Sequence, residues 1–248
     1  MKAWFGEQST SPFDLFSIHH LYMIIIFITG IFLLVIYSSR IKANPVLLKT
    51  IRWGLFSILV ISELSYQAWG MLNNFWNPSE FLPLQLCSVA GILAMGSLLT
   101  KNNKLIQMVL FIGIVPSFLA VVTPELFHGF PHFRFWQFFI HHIALSWASI
   151  FLVTTFPVRI SLWETLESYF YLLCYAGLIG FIVNPLVGAN FLFLSNAPSA
   201  NTPLNLLGYG FWYYFNLCLV GLLVFLCIYI FYNIISRLKH KEAGTKPQ

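Results

Sequence analysis

The chain has 248 residues, of which 58% are hydrophobic and 8% carry a charged side chain. Because soluble globular proteins carry about 25% charged residues, a soluble domain is excluded. The net charge of +5 comes mainly from Lys and Arg residues that follow apolar stretches, a pattern typical of contact with anionic lipid headgroups. We therefore expect membrane lipids, and no nucleic acid, as partners.

Seven apolar stretches follow one another along the chain, and each is close to the roughly 20 residues that a helix needs to cross a bilayer. We predict transmembrane helices at 20–39, 53–72, 82–100, 105–123, 136–156, 167–184 and 206–235. These helices form one domain over residues 1–236, and a polar cytoplasmic tail follows at 237–248. The predicted fold class is an all-α integral membrane protein, a seven-transmembrane helix bundle.

The distribution of positive charge predicts the orientation of this bundle. Only Lys2 and Arg134 lie in one set of alternate gaps between the spans. The other eleven of the thirteen Lys and Arg residues lie in the second set, and they are Arg40, Lys42, Lys49, Arg52, Lys101, Lys104, Arg159, Arg237, Lys239, Lys241 and Lys246. Positive residues mark the cytoplasmic side, so we predict an N-terminus outside and a C-terminus in the cytoplasm.

The second span carries an ionisable residue, Glu63, near its middle. Tyr66, Gln67 and Gly70 follow it at i+3, i+4 and i+7, so all four residues lie on one helix face. Ionisable side chains are costly at membrane depth and commonly mark functional sites, which makes Glu63 a candidate. A structural role, in which protonated Glu63 hydrogen-bonds to another helix, is equally open.

Further polar residues are predicted at one depth near the outer ends of four other spans. They are His20 in the first span, Gln85, Cys87 and Ser88 in the third, His141 and His142 in the fifth, and Asn184 in the sixth. Their convergence predicts a polar site that opens to the outside. Six histidines lie near this surface, but few carboxylates accompany them, so we expect neither a metal site nor a cofactor.

Several segments together resemble the YwaF family of bacterial integral membrane proteins, which is related to the transmembrane protein 164 acyltransferases. They are FSIHH at the first span, LPLQLCS at the third, PELFHGFPHFRFWQFFIHH before the fifth, and NPLVGANFLFL and LGYGFWYY before the last. The resemblance covers essentially the whole chain. It implies a multi-pass protein of the bacterial cytoplasmic membrane that moves fatty acyl groups between lipids or lipid-linked substrates.

The resemblance also implies roles for individual residues. His142 occupies the position of the family histidine and could act as general base and acid. A gapless match places the cysteine of the acyltransferases at Leu84, which cannot react, so Cys87, one helical turn deeper, is the nearest nucleophile, with Ser88 behind it. Bacterial relatives tend to carry a histidine where Gln85 stands.

The remaining candidates would support this chemistry. Gln85 and Asn184 would position the substrate or hold an oxyanion, and Glu63 or His20 would orient the histidine. We therefore predict a membrane acyltransferase or transacylase with Cys/Ser–His chemistry that acts on acyl groups at the outer leaflet.

Two other interpretations of the sequence stay open. A Glu63 proton site beneath a histidine-lined vestibule fits a proton-coupled transporter or a ligand-binding membrane protein, although the chain shows no inverted repeat. A membrane partner protein without chemistry of its own is the third interpretation. The substrate, the acyl acceptor and the oligomeric state stay open as well, and a homo-oligomer is compatible with the sequence.

Overall fold

The computed structural model describes residues 2–7, 11–198 and 203–244. Regular structure in this part of the chain is helical, apart from an isolated bridge between Pro12 and His128. We number the long apolar helices α1 (Ile18–Ile36), α2 (Pro45–Leu72), α3 (Leu86–Thr100), α4 (Asn103–Val122), α5 (Phe133–Thr155), α6 (Leu162–Leu178) and α7 (Phe211–Gly244). Short helices lie at Lys2–Phe5, Ser38–Ala43, Pro78–Phe81, Asn184–Val187, Phe191–Phe193 and Pro203–Leu207.

Six helices in the described residues are long and apolar enough to cross a membrane, so the chain is an all-helical, multi-pass membrane protein. They are α1, α2, α4, α5, α7 and the helical run Leu162–Val187, which begins with α6. The seventh apolar helix, α3, has 15 residues and is shorter than the other six.

Helix α2 begins eight residues before the predicted start at residue 53, and local capping explains the difference. The side chain of Asn44 accepts hydrogen bonds from the backbone N–H groups of Val46 and Leu47, both at 3.0 Å. Pro45 occupies the first turn, where its missing N–H costs nothing. These two residues extend the helix beyond the apolar stretch that the hydropathy pattern detects.

Helix α3 begins at Leu86 rather than at residue 82. The preceding segment makes a tight turn in which the Leu84 N–H donates to the Leu82 carbonyl at 2.7 Å. The hydroxyl of Tyr175 on α6 donates to the Leu84 carbonyl at 2.7 Å and holds this turn. Residues 82–85 are therefore non-helical, because their polar backbone groups find partners outside a helix.

The last two helices also differ from the predicted ranges. A π-helical turn at Ile179–Val183 continues α6 into Asn184–Val187, and Gly188 with φ +63° ends it. Helix α7 runs on to Gly244, into the predicted polar tail, and residues 245–248 lie outside the described part of the chain.

Helix α5 lies at the centre of the bundle and packs against α1, α2, α3 and α4. Fourteen of its 23 residues are buried, whereas only 11% of the apolar window of the run that begins with α6 and 6% of that of α7 are buried. The close approach of α1 is set by Gly30, because a Cβ there would lie 2.1 Å from the indole ring of Trp147. Polar side chains on α5 are therefore held inside protein, and α6 and α7 present much of their surface to lipid.

The N-terminal segment is fixed to one end of this bundle. We call this end the histidine-rich end and define it by residues 2–7, 11–20, 73–85 and 123–142. Three consecutive carbonyl groups, those of residues 5–7, accept hydrogen bonds from side chains. The donors are Trp69 Nε1–H at 2.7 Å, His132 Nε2–H at 3.0 Å and His128 Nε2–H at 2.8 Å. The two imidazole rings stack with their centroids 4.4 Å apart.

Acidification is expected to release residues 5–7. Burial lowers the pKa of His128 and of His132 below 6.5. Arg134 acts in the same direction on both rings and His128 does so on His132, and together these effects outweigh the hydrogen bonds to the carbonyls of Glu7 and Gly6, which raise the two pKa values. The docked state thus favours neutral rings, so its stabilisation is complete above about pH 6.5 and is lost as the pH falls through the lowered pKa values. Hydrogen exchange of amides 5–7, corrected for the intrinsic rate, should therefore quicken between about pH 7.5 and about pH 5.

The control for this measurement is a double variant, His128→Asn with His132→Asn, which removes both titrating rings. Its corrected exchange should be the same at both pH values. An equally large pH response in the double variant would show that other groups hold the segment.

Candidate functional site

A line of polar side chains on α5 faces the polar stripe of α2 near the histidine-rich end. Arg134, Gln137 and His141 are spaced at i, i+3 and i+7, which places them on one face of α5. Glu63 and Tyr66 on α2 interact electrostatically with Arg134. The structure therefore brings the predicted stripe of α2 together with residues of α5, and we call this set the α2–α5 polar cluster.

Gln137 and Ser62 fix the contact between the two helices. The Gln137 amide donates to the Ser62 carbonyl and lies equally close to the Ser62 hydroxyl, both at 3.3 Å, and that hydroxyl lies 3.4 Å from the Gln137 carbonyl. Both residues are buried. These reciprocal contacts determine the rotation of α5 about its axis and therefore the direction of the side chains one turn deeper.

The guanidinium of Arg134 lies over aromatic rings of α2. Its central carbon is 4.2 Å from the centroid of the Tyr66 ring and 5.9 Å from that of Trp69. One N–H group donates to the side-chain oxygen of Gln137. The guanidinium thus makes cation–π contacts through its face and one hydrogen bond at its edge. Its remaining N–H donors have no protein acceptor in the described residues.

Glu63 is held by a chain of hydrogen bonds along α2. The Gln67 amide donates to a Glu63 carboxylate oxygen at 3.0 Å and to the Phe81 carbonyl at 2.7 Å. The Trp76 indole donates to the Gln67 side-chain oxygen at 2.9 Å. Gln67 thereby ties the carboxylate to the connection that precedes α3.

His141 is the unusual residue of the site. Its side chain is 4% exposed, and neither ring nitrogen has a hydrogen-bond partner among the described residues. The ring lies against α3, because a Cβ on Gly91 would be 3.1 Å from its Cε1 atom and 3.2 Å from its Nε2 atom. Glu63 and Arg134 act on the ring electrostatically, and the Cys87 backbone lies close to it without completing a hydrogen bond. Leaving buried polar atoms unpaired costs about 1–3 kcal/mol each, so His141 is a candidate for a functional rather than a structural role.

His142 is held differently. Its Nδ1–H donates to the Phe138 carbonyl at 2.7 Å, which fixes the neutral tautomer that keeps a lone pair on Nε2. Its ring lies 4.2 Å from the Phe138 ring and 5.5 Å from the His141 ring. The nitrogen that could accept a proton is therefore oriented by the helix itself.

Cys87 and Ser88 lie in the first turn of α3, and both are half-buried. Cys87 precedes Gly91 by four residues, so the two residues share the helix face against which His141 packs. The Cys87 side chain also contacts the apolar core, and no hydrogen bond joins its thiol to an imidazole in the described residues. The structure thus brings the Cys87 backbone to His141 rather than to His142.

Gln85 and Asn184 belong to a connected set of loop contacts beside the start of α3. The Gln85 side-chain oxygen accepts from the Leu192 N–H at 3.0 Å, which leaves its amide nitrogen as the available donor. The Asn184 side chain donates to the Phe191 carbonyl at 3.1 Å and accepts from the Phe191 N–H at 3.0 Å. Asn184 therefore fixes the loop that in turn orients Gln85.

His20 is fully buried and makes backbone hydrogen bonds with both ring nitrogens. Its Nδ1 accepts from the Phe16 N–H at 3.0 Å, and its Nε2–H donates to the Val121 carbonyl at 2.8 Å. These bonds join the start of α1 to the end of α4. The ring has no free nitrogen with which to orient His142.

Arg134 and Gln137 were absent from the residues predicted to form the site, and His141 was among the converging polar residues but was assigned no role. The spacing i, i+3 and i+7 from Arg134 to His141 was the available signal. Gly91 was a second signal, because a small residue on α3 permits the close approach of a ring from another helix.

These features define a multi-pass helical membrane protein with a histidine-containing polar site at one end of its bundle. A family model described as the TMEM164 family matches residues 15–229. The chain belongs to this family, since the match covers most of its length. No curated protein and no solved structure matches the chain.

The substitution Gly91→Ala is expected to displace the His141 ring and to destabilise the protein. The added methyl group would lie 3.1 Å from the imidazole, closer than nine in ten Cβ contacts, so the ring must shift by a few tenths of an ångström. Overpacking of this kind costs about 1–3 kcal/mol, which thermal unfolding in detergent would measure.

Gly54→Ala and Gly177→Ala are matched controls, because a Cβ at either position would meet no atom within 4 Å. Replacing glycine by alanine inside a helix should stabilise these variants by up to about 1 kcal/mol. If Gly91→Ala unfolds at the same temperature as the controls, the ring does not pack against α3 as described.

Proposed function

We propose that this protein is a membrane acyltransferase that moves fatty acyl groups between lipids at the outer leaflet. The observation that carries the proposal is the pair of neighbouring imidazoles at membrane depth. One has no partner on either nitrogen and the other keeps a free Nε2 lone pair, and Cys87 and Ser88 lie in the adjacent turn of α3. Membership of the TMEM164 family supports the same chemistry.

The reaction begins with attack of the Cys87 sulfur on the ester carbonyl carbon of an acyl lipid. As the C–S bond forms, an imidazole takes the thiol proton, and it returns this proton to the leaving alcohol oxygen when the C–O bond breaks. The hydroxyl of a second lipid then attacks the thioester carbonyl and its proton passes to the same imidazole. Collapse of that adduct restores the protonated thiol and releases the new ester. Ser88 is the alternative nucleophile.

The geometry favours His141 as the base, with His142 beside it as the second candidate. His141 lies against the α3 face that carries Cys87, and its nitrogens are free. His142 can accept a proton only at Nε2, because Nδ1 is committed to the Phe138 carbonyl. We therefore assign proton transfer to the imidazole pair rather than to His142 alone.

The supporting roles follow from the hydrogen bonds. The free amide nitrogen of Gln85 is the donor that we assign to the oxyanion, and Asn184 acts through the loop that positions Gln85. Glu63 interacts with His141 and is the group that we assign to orient it. His20, whose two nitrogens are engaged, serves the contact between α1 and α4.

Chemical labelling of the cysteine nucleophile tests this mechanism. A thiol-directed acyl probe should label wild-type protein in detergent at Cys87, and His141→Gln should slow labelling by about 100-fold, the usual contribution of a positioned base. Cys174→Ala is the control for non-specific reaction, because Cys174 is exposed on α6. A fluorophosphonate probe applied to the same variants tests Ser88.

Transfer of acyl groups between purified lipids is the second measurement. The double variant Cys87→Ala with Ser88→Ala should have no activity. Full activity in this variant would exclude both nucleophiles, and unchanged rates in His141→Gln and in His142→Gln would exclude the imidazole pair.

We further propose the complete topology, with seven spans, the N-terminus outside and the C-terminus in the cytoplasm of a bacterial cell. Helix α3 is about 22 Å long, and the non-helical residues 82–85 that precede it add to its reach across the roughly 30 Å hydrocarbon core. The excess of Lys and Arg in alternate connections supports the orientation. Placement of the chain in the YwaF branch of the family rests on the sequence motifs.

Seven spans place the two termini on opposite sides of the membrane, whereas six place them on the same side. In a background that lacks the native cysteines, single cysteines at Glu7 and at Lys246 distinguish the two cases. A water-soluble maleimide applied to intact cells should label the first and should label the second only after lysis. Labelling of both, or of neither, in intact cells would contradict seven spans.

A further inference from the structure

We propose that Arg134 binds the phosphate group of a glycerophospholipid and so positions the lipid ester beside His141. This inference rests on the proposed acyl transfer and adds a substrate-positioning residue to it. It is based on the placement of the Arg134 guanidinium. One face of this group packs on aromatic rings, and no carboxylate in the described residues forms an ion pair with it.

The first step is the way in which the guanidinium is held. Tyr66 and Trp69 lie on its face at 4.2 Å and 5.9 Å, and Gln137 accepts one of its N–H groups. A guanidinium has five N–H donors in a planar fork that matches the oxygens of a phosphate. The contact with the aromatic rings and the hydrogen bond to Gln137 fix the plane of the guanidinium. Its other N–H donors remain available for a bidentate ligand.

The second step is the charge. The ion pair found among the described residues joins Lys104 to Glu167 and does not involve Arg134. Glu63 acts on Arg134 only at longer range, and Glu63 itself is bound by Gln67. Arg134 is the second residue of α5 and half-buried, so its guanidinium lies at the end of the helix, where it can take an anion from the membrane surface.

The third step is the position of Arg134 relative to His141. Seven residues separate them on one face of α5, which corresponds to about 10.5 Å along the helix axis. In a glycerophospholipid the phosphate lies at the membrane surface, and the ester carbonyls follow one glycerol unit deeper. Binding of the phosphate by Arg134 at the helix end therefore directs the esters towards the imidazole and α3.

Binding can be measured separately from catalysis. Purified protein in a non-ionic detergent is titrated with phosphatidylethanolamine, with diacylglycerol of the same chains and with inorganic phosphate, and the thermal unfolding temperature is recorded. We expect the phospholipid to raise this temperature in wild type, and Arg134→Gln to weaken the apparent affinity at least about tenfold. Diacylglycerol should bind wild type and Arg134→Gln equally.

Arg52→Gln is the matched control, because Arg52 also stacks on a tryptophan, Trp53, at 5.4 Å but lies near the other end of α2. Its affinity for the phospholipid should equal that of wild type. Arg134→Lys keeps the charge, loses the planar fork and should fall between wild type and Arg134→Gln. This variant tests the proposal if Arg134→Gln does not fold.

Steady-state kinetics should distinguish the phospholipid from diacylglycerol in the same way. Arg134→Lys should raise KM for a phospholipid donor and leave KM for diacylglycerol unchanged. Equal phospholipid affinity in wild type, Arg134→Lys and Arg134→Gln would overturn the phosphate site while leaving acyl transfer intact. A temperature increase with inorganic phosphate as large as that with the phospholipid would also overturn it, because the site would then take the free anion.

Loss of acyl transfer in the Cys87→Ala, Ser88→Ala variant, with phospholipid binding retained, would support both proposals. Retained phospholipid binding that depends on Arg134, in a protein without any acyl transfer, would reject the proposed function and keep the phosphate site.

Discussion

The burial of α5 among α1, α2, α3 and α4 is the constraint on which the candidate site depends. A bilayer offers no water to polar groups, so a helix that carries Arg134, Gln137 and His141 must turn that face towards protein. The reciprocal contacts of Gln137 with Ser62 satisfy the first turns of this face. They also determine the direction in which the His141 imidazole, one turn deeper, points. The same contacts therefore determine both the packing of α5 and the geometry of the candidate site.

Hydropathy predicts which parts of the chain become helices, and local polar chemistry decides where the helices begin. The apolar stretch of α2 starts near residue 53, yet Asn44 and Pro45 begin the helix earlier. The pair was readable as a helix start, but hydropathy alone does not detect capping. The start of α3 at Leu86 was not readable, because the hydrogen bond that Tyr175 donates to Leu84 comes from a residue about 90 positions away.

The residue types of the candidate site and its end of the bundle were predictable, but which of the two histidines packs against α3 required the structure. Adjacent residues on a helix point about 100° apart, and His141 and His142 are equally polar in sequence. Which of them meets α3 depends on the rotation of α5, and that rotation depends on contacts with residues 75 positions away. Gly91 then decides the distance, because any side chain there would hold the two helices further apart.

Hydrogen-bond partners separate residues that hold the fold from residues that await a ligand. His20 and Asn184 were candidates for supporting roles in sequence, yet backbone groups of the chain already engage both their side-chain functions. The nitrogens of His141 and most N–H groups of Arg134 have no such partner in the described residues. Unpaired groups of this kind are costly at membrane depth, and a protein retains them where another molecule completes the bonds. Because the two residues lie on one face of α5, two turns apart, an elongated amphiphile could satisfy both at once, whereas a small soluble ligand could reach only one of them.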